Sequence, residues 1–149
     1  MHLVTWVSLA AVLAVAVITD LKEKKIYDWL TIPSLVYFGI LHLVFDRWSG
    51  LIGSIVGAAL LFGLSLLLAA LSKGQLGGGD IKLFSVIGAA LGAPDGLLTM
   101  LLTFLAAGMA AWPILLVQRV RRNKDKKLTE LALAPFMALG TGIVLLLLN

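Results

Sequence analysis

The sequence predicts an all-α integral membrane protein with about six transmembrane helices in a single domain, residues 1–149. Three observations support this prediction. The chain is 60% hydrophobic and only 13% charged, with a mean hydropathy of +1.04, whereas a soluble domain carries about 25% charged residues. Six apolar segments approach the ~20 residues that cross a bilayer as a helix. No segment shows the alternating pattern of a membrane-spanning β-strand.

The six apolar segments follow one another closely, and the connections are too short for a second domain. The first segment follows no basic stretch, because His2 is the only side chain before Lys22 that can carry a positive charge. A cleavable signal peptide has such a stretch, so we expect the first helix to be retained. The fourth segment is short and flanked by glycines. In order, the segments are residues 3–19, 29–45, 51–71, 81–91, 97–117 and 131–148.

The basic residues indicate how these helices are oriented. With six spans, eleven of the twelve Lys and Arg residues fall on one side of the membrane, and Arg47 falls on the other. The positive-inside rule makes the basic side cytoplasmic, which places both termini outside. The basic run at residues 119–127 is then expected to face membrane lipid headgroups rather than nucleic acid. The eleven are Lys22, Lys24, Lys25, Lys73, Lys82, Arg119, Arg121, Arg122, Lys124, Lys126 and Lys127.

Few residues in this sequence can support chemistry. There are no cysteines, which excludes structural disulfides and Cys-ligated zinc. The two histidines, His2 and His42, lie near no Ser or acid that would complete a catalytic triad. We therefore expect neither a metal nor a cofactor, and the carboxylates become the candidates.

Two of the eight acidic residues are distinguished by their positions. Asp20 ends the first segment and Asp80 begins the fourth, so both are expected at the cytoplasmic boundary of the membrane. An ionisable group at that depth is costly unless it faces water, a cavity or a partner. Asp20 alone is compatible with a solvated interfacial residue. Asp80 is not so easily explained, because it follows three consecutive glycines.

The glycine triplet Gly77, Gly78 and Gly79 predicts a close approach to the backbone. Each glycine costs conformational entropy, and a simple turn needs only one. The triplet is therefore expected to admit a substrate strand or a neighbouring helix, in an irregular backbone that lines a wet cavity. A phosphate-binding loop is excluded, because G-x-x-x-x-G-K-[ST] is absent.

Two aspartates close enough to share a proton have different pKa values, so that one is ionised and one protonated. The ionised one can take a proton from water while the other donates to a peptide carbonyl, which is aspartic peptide hydrolysis. One alternative is a small ion- or proton-coupled transporter that uses Asp20 and Asp80, although the repeated halves of many transporters are not evident here. A non-catalytic membrane scaffold would leave both aspartates unexplained.

Three motifs resemble those of a known family. "GGGDIKLF" (residues 77–84) resembles the G-x-G-D motif of intramembrane aspartyl proteases, with the continuation typical of type IV prepilin peptidases. "DLKEKKIYDWLT" (residues 20–31) resembles the family pattern D-x(6)-P-[ND]-x-L-T, and "APFMALGTGI" (residues 134–143) is similar to its closing P-F-x-x-x-G segment. Together they extend over nearly the whole chain.

The resemblance to this prepilin and preflagellin peptidase family implies a function. It makes Asp20 and Asp80 the catalytic pair and Gly77 and Gly79 the motif glycines. Family members remove the short basic leader of prepilins, pseudopilins or archaellins at the cytoplasmic membrane face, before the substrate's hydrophobic helix. The sequence leaves open the substrate, its pathway, the cleavage-site preference, the pH optimum and whether the protein is a homo-oligomer. It also leaves open whether the two aspartates meet without substrate.

Two residues depart from the family pattern, and one region of its long members is not found. Tyr27 replaces the usual proline of the first motif, and Gly78 fills the variable position of the second. Long family members carry an N-terminal cysteine-containing region that is linked to N-methylation. Because this chain lacks that region, we expect peptidase activity without methyl transfer.

Asp28 and Lys82 each have two interpretations. Asp28 matches the [ND] position and is a candidate to orient Asp20 or the substrate leader, although a helix N-cap is favoured. Lys82 either acts on a neighbouring carboxylate or extends to the membrane interface, which is favoured. The acids Glu23, Asp28 and Glu130 are also expected to meet the basic residues of a leader.

Two G-x-x-x-G patterns lie within predicted helices. Gly53 and Gly57 form one in the third segment, and Gly88 and Gly92 form another in the fourth. Such spacing permits helices to approach closely in a membrane. We predict that they do so inside the monomer.

Overall fold

The computed structural model of the protein describes residues 2–23, 25–72, 76–121 and 133–147. These residues form helices and contain no strand, which confirms the all-α prediction. The sixth predicted segment, residues 131–148, corresponds to a helix that starts at Ala134. Most of the basic run at residues 119–127, together with Glu130, lies outside the described residues. The helices are α1 His2–Glu23, α2 Asp28–Leu71, α3 Gly78–Leu91, α4 Ala93–Arg121 and α5 Ala134–Leu147.

Helix α2 consists of two arms rather than one straight rod. Arg47 interrupts it with φ 58° and ψ −145°, a conformation that residues other than glycine rarely adopt. A Cβ atom at Gly39 would lie 3.7 Å from Leu51 Cδ1, although 12 residues of straight helix span about 18 Å. The chain therefore folds back at Arg47. The first arm, residues 28–46, and the second arm, residues 48–71, correspond to the second and third predicted segments.

Helix α3 is the centre of the bundle. Nearly every side chain from Ile81 to Ala90 is buried, as expected for a helix that neighbours cover on all sides. The first arm of α2 runs parallel to it, because Asp28 contacts Lys82 at one end and His42 Nε2 lies 3.1 Å from the Ala90 carbonyl at the other. α3 therefore has a fixed position along this arm.

The second arm of α2 runs antiparallel to α3 and is attached by side-chain hydrogen bonds. Ser54 donates to the Ala89 carbonyl at 2.8 Å, and Ser85 donates to the Ala58 carbonyl at 3.2 Å. Interhelical bonds of this kind contribute modestly in a membrane protein, about 0.6 kcal/mol on average. Their positions fix the register between the two helices.

Gly57 and Gly88 bring the backbones of α2 and α3 into direct contact. A Cβ atom at Gly57 would lie 2.2 Å from the Gly88 carbonyl oxygen, and one at Gly88 would lie 2.3 Å from the Gly57 carbonyl oxygen. Gly53 has open space around it, and Gly92 adopts φ 80° just after α3. Gly57 also lies against Gly92, because a Cβ atom at Gly57 would be 2.9 Å from the Gly92 carbonyl carbon, so Gly53 alone of these four glycines makes no close contact.

The outer surface of the bundle is largely apolar. Val44, Trp48 and Leu146 are among many large hydrophobic side chains that are mostly exposed, which suits a surface that meets lipid. By length and hydropathy, three described helices can cross a membrane, with limits Leu3–Glu23, Asp28–Leu71 and Ala93–Ala110, and Ala134–Leu147 is a shorter apolar helix. The chain is thus a helical membrane protein. The six crossings and the outward termini stay predictions.

Candidate active site

The start of α3, the end of α1 and the connection between α1 and α2 line an open cavity of about 570 Å³. The catalytic candidates, the glycine triplet and Asp28 line it, and Lys82 pairs with Asp28. Of the other acids expected to meet a leader, Glu23 is not a lining residue and Glu130 lies outside the described residues. The sequence did not predict that residues of the α1–α2 connection line this cavity. The aromatic Tyr27 and Trp29, which flank the motif residue Asp28, were the signal that could have indicated it. The lining residues are Asp20, Lys25, Ile26, Tyr27, Asp28, Trp29, Gly77, Gly78, Gly79 and Asp80.

Asp20 reaches this cavity from the last turn of α1. Its side chain is buried, with 7% of the residue exposed. Its Oδ2 atom accepts a hydrogen bond of 3.1 Å from the backbone N–H of Ala134, the first residue of α5. Helix α5 is thus the source of a polar partner for this carboxyl group, 114 residues away in the sequence.

Asp80 reaches the same cavity from the first turn of α3. Its backbone N–H donates to the Gly77 carbonyl at 3.1 Å, and its carboxyl group interacts with the Gly77 backbone by a hydrogen bond. Gly77 is the N-cap of α3, so Asp80 is the third residue of the helix and its side chain turns back on the cap. Acidic residues take this position in the capping box. Local helix geometry therefore aims the carboxyl group of Asp80 at the cavity.

The two carboxyl groups interact electrostatically. Asp80 precedes the apolar run at residues 81–91 and lies outside the candidate spans. Burial is the largest effect that raises the pKa of Asp80 to about 6, and the negative charge of Asp20 is the second. The hydrogen bond with the Gly77 backbone lowers this pKa by a smaller amount. A carboxyl pair in which one member keeps its proton beside an ionised partner is the arrangement that acid–base chemistry requires.

We expect Asp20→Asn to lower the pKa of Asp80, because the variant removes the charge that disfavours ionisation. Burial still acts in the variant, so the pKa should stay above the ordinary value of 3.8. An infrared titration of the protonated carboxyl band measures this pKa. Asp95→Asn is the control, since Asp95 lies at the opposite end of α3, in the first turn of α4. An unchanged titration in Asp20→Asn would mean that the two groups do not interact.

The glycine triplet is not the irregular loop that the sequence suggested. Gly77 is extended, with φ −66° and ψ 143°, and Gly78 and Gly79 are the first two residues of α3. A Cβ atom at Gly79 would lie 2.8 Å from Ile26 Cβ and 3.2 Å from its backbone nitrogen, whereas one at Gly78 would meet nothing within 4 Å. Gly79 is therefore needed for packing against the α1–α2 connection, and Gly78 leaves one side of the cavity open.

Gly79→Ala should destabilise the protein while Gly78→Ala should not. The added methyl group at residue 79 must displace Ile26, and overpacking of this kind costs about 1–3 kcal/mol. The methyl group at residue 78 enters open space. Thermal unfolding of the two variants in detergent micelles measures the difference. Equal melting temperatures would contradict the packing role of Gly79.

Asp28 does not cap α2, contrary to the favoured interpretation. The N-cap residue is Tyr27, without a side-chain capping bond, and Asp28 is the first residue of the helix. Its Oδ1 atom lies 2.5 Å from Lys82 Nζ, in an ion pair whose side chains are 58% and 41% exposed. Exposed pairs stabilise proteins by at most about 1 kcal/mol. Lys82 therefore bridges α3 to the start of α2 instead of extending freely to the interface.

Tyr27 preserves the chain path expected for proline at its position. Its φ of −81° and ψ of 143° are close to the conformation that proline favours. The Tyr27 hydroxyl donates to the carboxylate of Glu23 in α1. The departure from the motif therefore adds a side-chain contact across the α1–α2 connection without redirecting it.

Two comparisons with known proteins bear on this site. The model of the type IV leader peptidase family matches residues 7–112. A Bacillus subtilis (strain 168) protein named prepilin leader peptidase/N-methyltransferase is 37% identical over 92 residues, which cover 60% of this chain and 34% of that protein. The match thus spans about a third of the length of the curated relative. No solved structure matches the chain significantly.

Proposed function

This chain belongs to the type IV leader peptidase family, and on that premise we propose that it is a membrane aspartic endopeptidase. Its substrates would be prepilin-like precursors (pilins, pseudopilins or archaellins), from which it removes a short basic leader. The observation that carries the proposal is the cavity that Asp20 and Asp80 share. The raised pKa of Asp80 beside the charge of Asp20 supports it, and the name of the B. subtilis relative supports the substrate class.

The mechanism begins with water held between the two carboxyl groups. The ionised carboxylate takes one proton from the water, and the water oxygen bonds to the peptide carbonyl carbon. At the same time the protonated carboxyl donates its proton to the carbonyl oxygen. The resulting diol then collapses. Its hydroxyl proton returns to the second carboxylate, the first carboxyl protonates the amide nitrogen, and the C–N bond breaks. Both groups end in their starting protonation states, with no covalent intermediate and no metal or cofactor.

We further propose six crossings of the cytoplasmic membrane, with outward termini and an active site at the cytoplasmic face. The two arms of α2 supply two of these crossings. Lys25 lines the cavity, and Lys82 follows Asp80 by two residues in α3. The site therefore lies among the basic residues that mark the cytoplasmic side. The substrate's hydrophobic helix would then pack in the lipid while its leader enters the cavity.

Carboxylates at the rim are the proposed binding groups for the basic leader. Asp28 lines the cavity with its side chain 58% exposed, and Glu23 is exposed at the end of α1. We expect Asp28→Asn to raise KM severalfold for a leader rich in Lys and Arg, with little change in kcat, because a rim charge acts mainly on association. A leader with neutral replacements is the matched control, since it should respond little to the variant. Equal effects on both leaders would remove the proposal.

Reconstitution in proteoliposomes tests the function. The purified chain should cleave a prepilin-like protein at one bond ahead of its hydrophobic helix, as read by mass spectrometry of both products. A transporter would instead move cations or protons across the vesicle wall without cleavage, so one preparation separates the two classes. The absence of methyl transfer stays a prediction, and a methyl donor in the same reaction tests it. Methylated product would overturn that prediction alone.

A further inference from the structure

We propose that the N-terminus of α5 belongs to the catalytic apparatus. In this arrangement the Ala134 N–H holds Asp20 as the ionised, water-activating carboxylate, and Asp80 is the proton donor. The assignment rests on the proposed peptidase function and adds the role of each carboxyl group and the residue that sets it. The family match ends at residue 112, so α5 lies beyond the region that the comparison covers.

The contact between Asp20 and α5 is enclosed and specific. Ala134 is fully buried and Asp20 is 7% exposed, so water has little access to the 3.1 Å hydrogen bond between them. The first N–H groups of a helix have no partner within the helix, and the next residue, Pro135, has no N–H. Phe136 and Met137 both donate to the Leu133 carbonyl. Ala134 is therefore the donor in this turn that is directed at Asp20.

The chemistry of this donor favours a negative charge on Asp20. A backbone N–H can only donate, so it is matched to a carboxylate oxygen and forms a charge-assisted bond. The positive end of a helix dipole also stabilises a neighbouring anion. Asp80 likewise receives a backbone hydrogen bond from Gly77, yet burial and the charge of Asp20 outweigh it and raise its pKa to about 6. Asp80 is therefore the carboxyl group whose protonated form the site favours, and we assign it the donor role.

The packing of the helices makes α5 the support of Asp20. Helix α1 makes its most extensive contact with α5, and α3 makes its most extensive contact with α2. The two aspartates thus belong to different packed pairs of helices, and the hydrogen bond from Ala134 attaches Asp20 to one of them. Among the described residues, the other charged groups at this cavity are Lys25, Asp28 and, through its pair with Asp28, Lys82.

Replacing the amide at residue 134 with an ester tests the proposal. Incorporation of lactic acid removes the N–H and keeps the alanine side chain. We expect kcat to fall by about 10- to 100-fold, the range for a hydrogen bond to a charged group, with KM nearly unchanged. The acidic limb of the pH profile should also move to higher pH, because the base has lost a donor that favours its charged form.

The matched control is the ester of residue 136, which breaks a backbone hydrogen bond in the same turn of α5 without touching Asp20. It should keep the native pH profile.

Three outcomes separate the possibilities. A native rate and pH profile for the ester at residue 134 overturns the role of α5 and leaves the peptidase proposal intact. A slower rate with an unchanged pH profile, equal to that of the ester at residue 136, also overturns it, because α5 would then be only structural. Cleavage by Asp20→Asn would instead refute the peptidase assignment itself.

Discussion

We expect Asp80→Asn and Asp20→Asn each to abolish leader cleavage and to leave the protein folded. Asparagine keeps the size of the side chain but cannot exchange a proton with water or with the peptide. General acid–base groups contribute about 10²–10⁴-fold each, and groups that act as a unit lose nearly everything when one is removed. We therefore expect the cleavage rate to fall by at least about 10³-fold in either variant. Single-turnover cleavage in proteoliposomes measures it.

Asp95→Asn is the matched control for these variants. Asp95 lies in the first turn of α4, at the end of α3 remote from the cavity, and its replacement should leave the rate unchanged. Circular dichroism and the melting temperature establish that all three variants are folded. Cleavage retained at a substantial rate by Asp20→Asn or Asp80→Asn would refute the assignment of the catalytic pair.

Gly88→Ala is the substitution expected to damage the fold most. Its methyl group would lie 2.3 Å from the Gly57 carbonyl oxygen, and the contact is between two helix backbones, so no side chain can rotate away. The helices must separate, at a cost of about 2–3 kcal/mol. The separation also moves α3, which carries Asp80, so we expect slower cleavage together with a lower stability. Unfolding in detergent with increasing denaturant measures the free energy.

Gly53→Ala provides the comparison within α2. Outside the helix's own backbone, no atom of the described residues lies within 4 Å of a Cβ at this residue. Alanine also favours a helix over glycine by about 1 kcal/mol. This variant should be as stable as the native protein or slightly more so. A Gly88→Ala protein with native stability would show that α2 and α3 do not rely on the close contact at Gly57.

Hydropathy and motif spacing predict much of the architecture because both are local properties of a chain. Long apolar runs located the helices within a few residues, including the two arms of α2, which are separated only at Arg47. The helix starts and ends also placed Asp20 and Asp80 at one end of the bundle. Those two positions predicted that both carboxyl groups lie at the same depth, but they left open whether the groups meet in one cavity.

Contacts between distant residues were not predictable in the same way. The pair of Asp28 and Lys82 joins residues 54 positions apart, and nothing in either local pattern indicates the other. The hydrogen bond from Ala134 to Asp20 is donated by a backbone N–H, which every residue except proline possesses. The identity of residue 134 therefore does not indicate that this bond forms. The role of Gly79 likewise depends on where Ile26 lies. These features follow from the packing of α1, α3 and α5.

The proximity of the two carboxyl positions is the central claim, and cross-linking tests it most directly. The chain has no cysteine, so Asp20→Cys/Asp80→Cys introduces a unique thiol pair for a short bifunctional thiol reagent in native membranes. We predict an intramolecular cross-link that a bound substrate slows, and none in Asp20→Cys/Asp95→Cys. Failure of the first pair to react, with both cysteines accessible to a monofunctional reagent, would contradict a shared catalytic site.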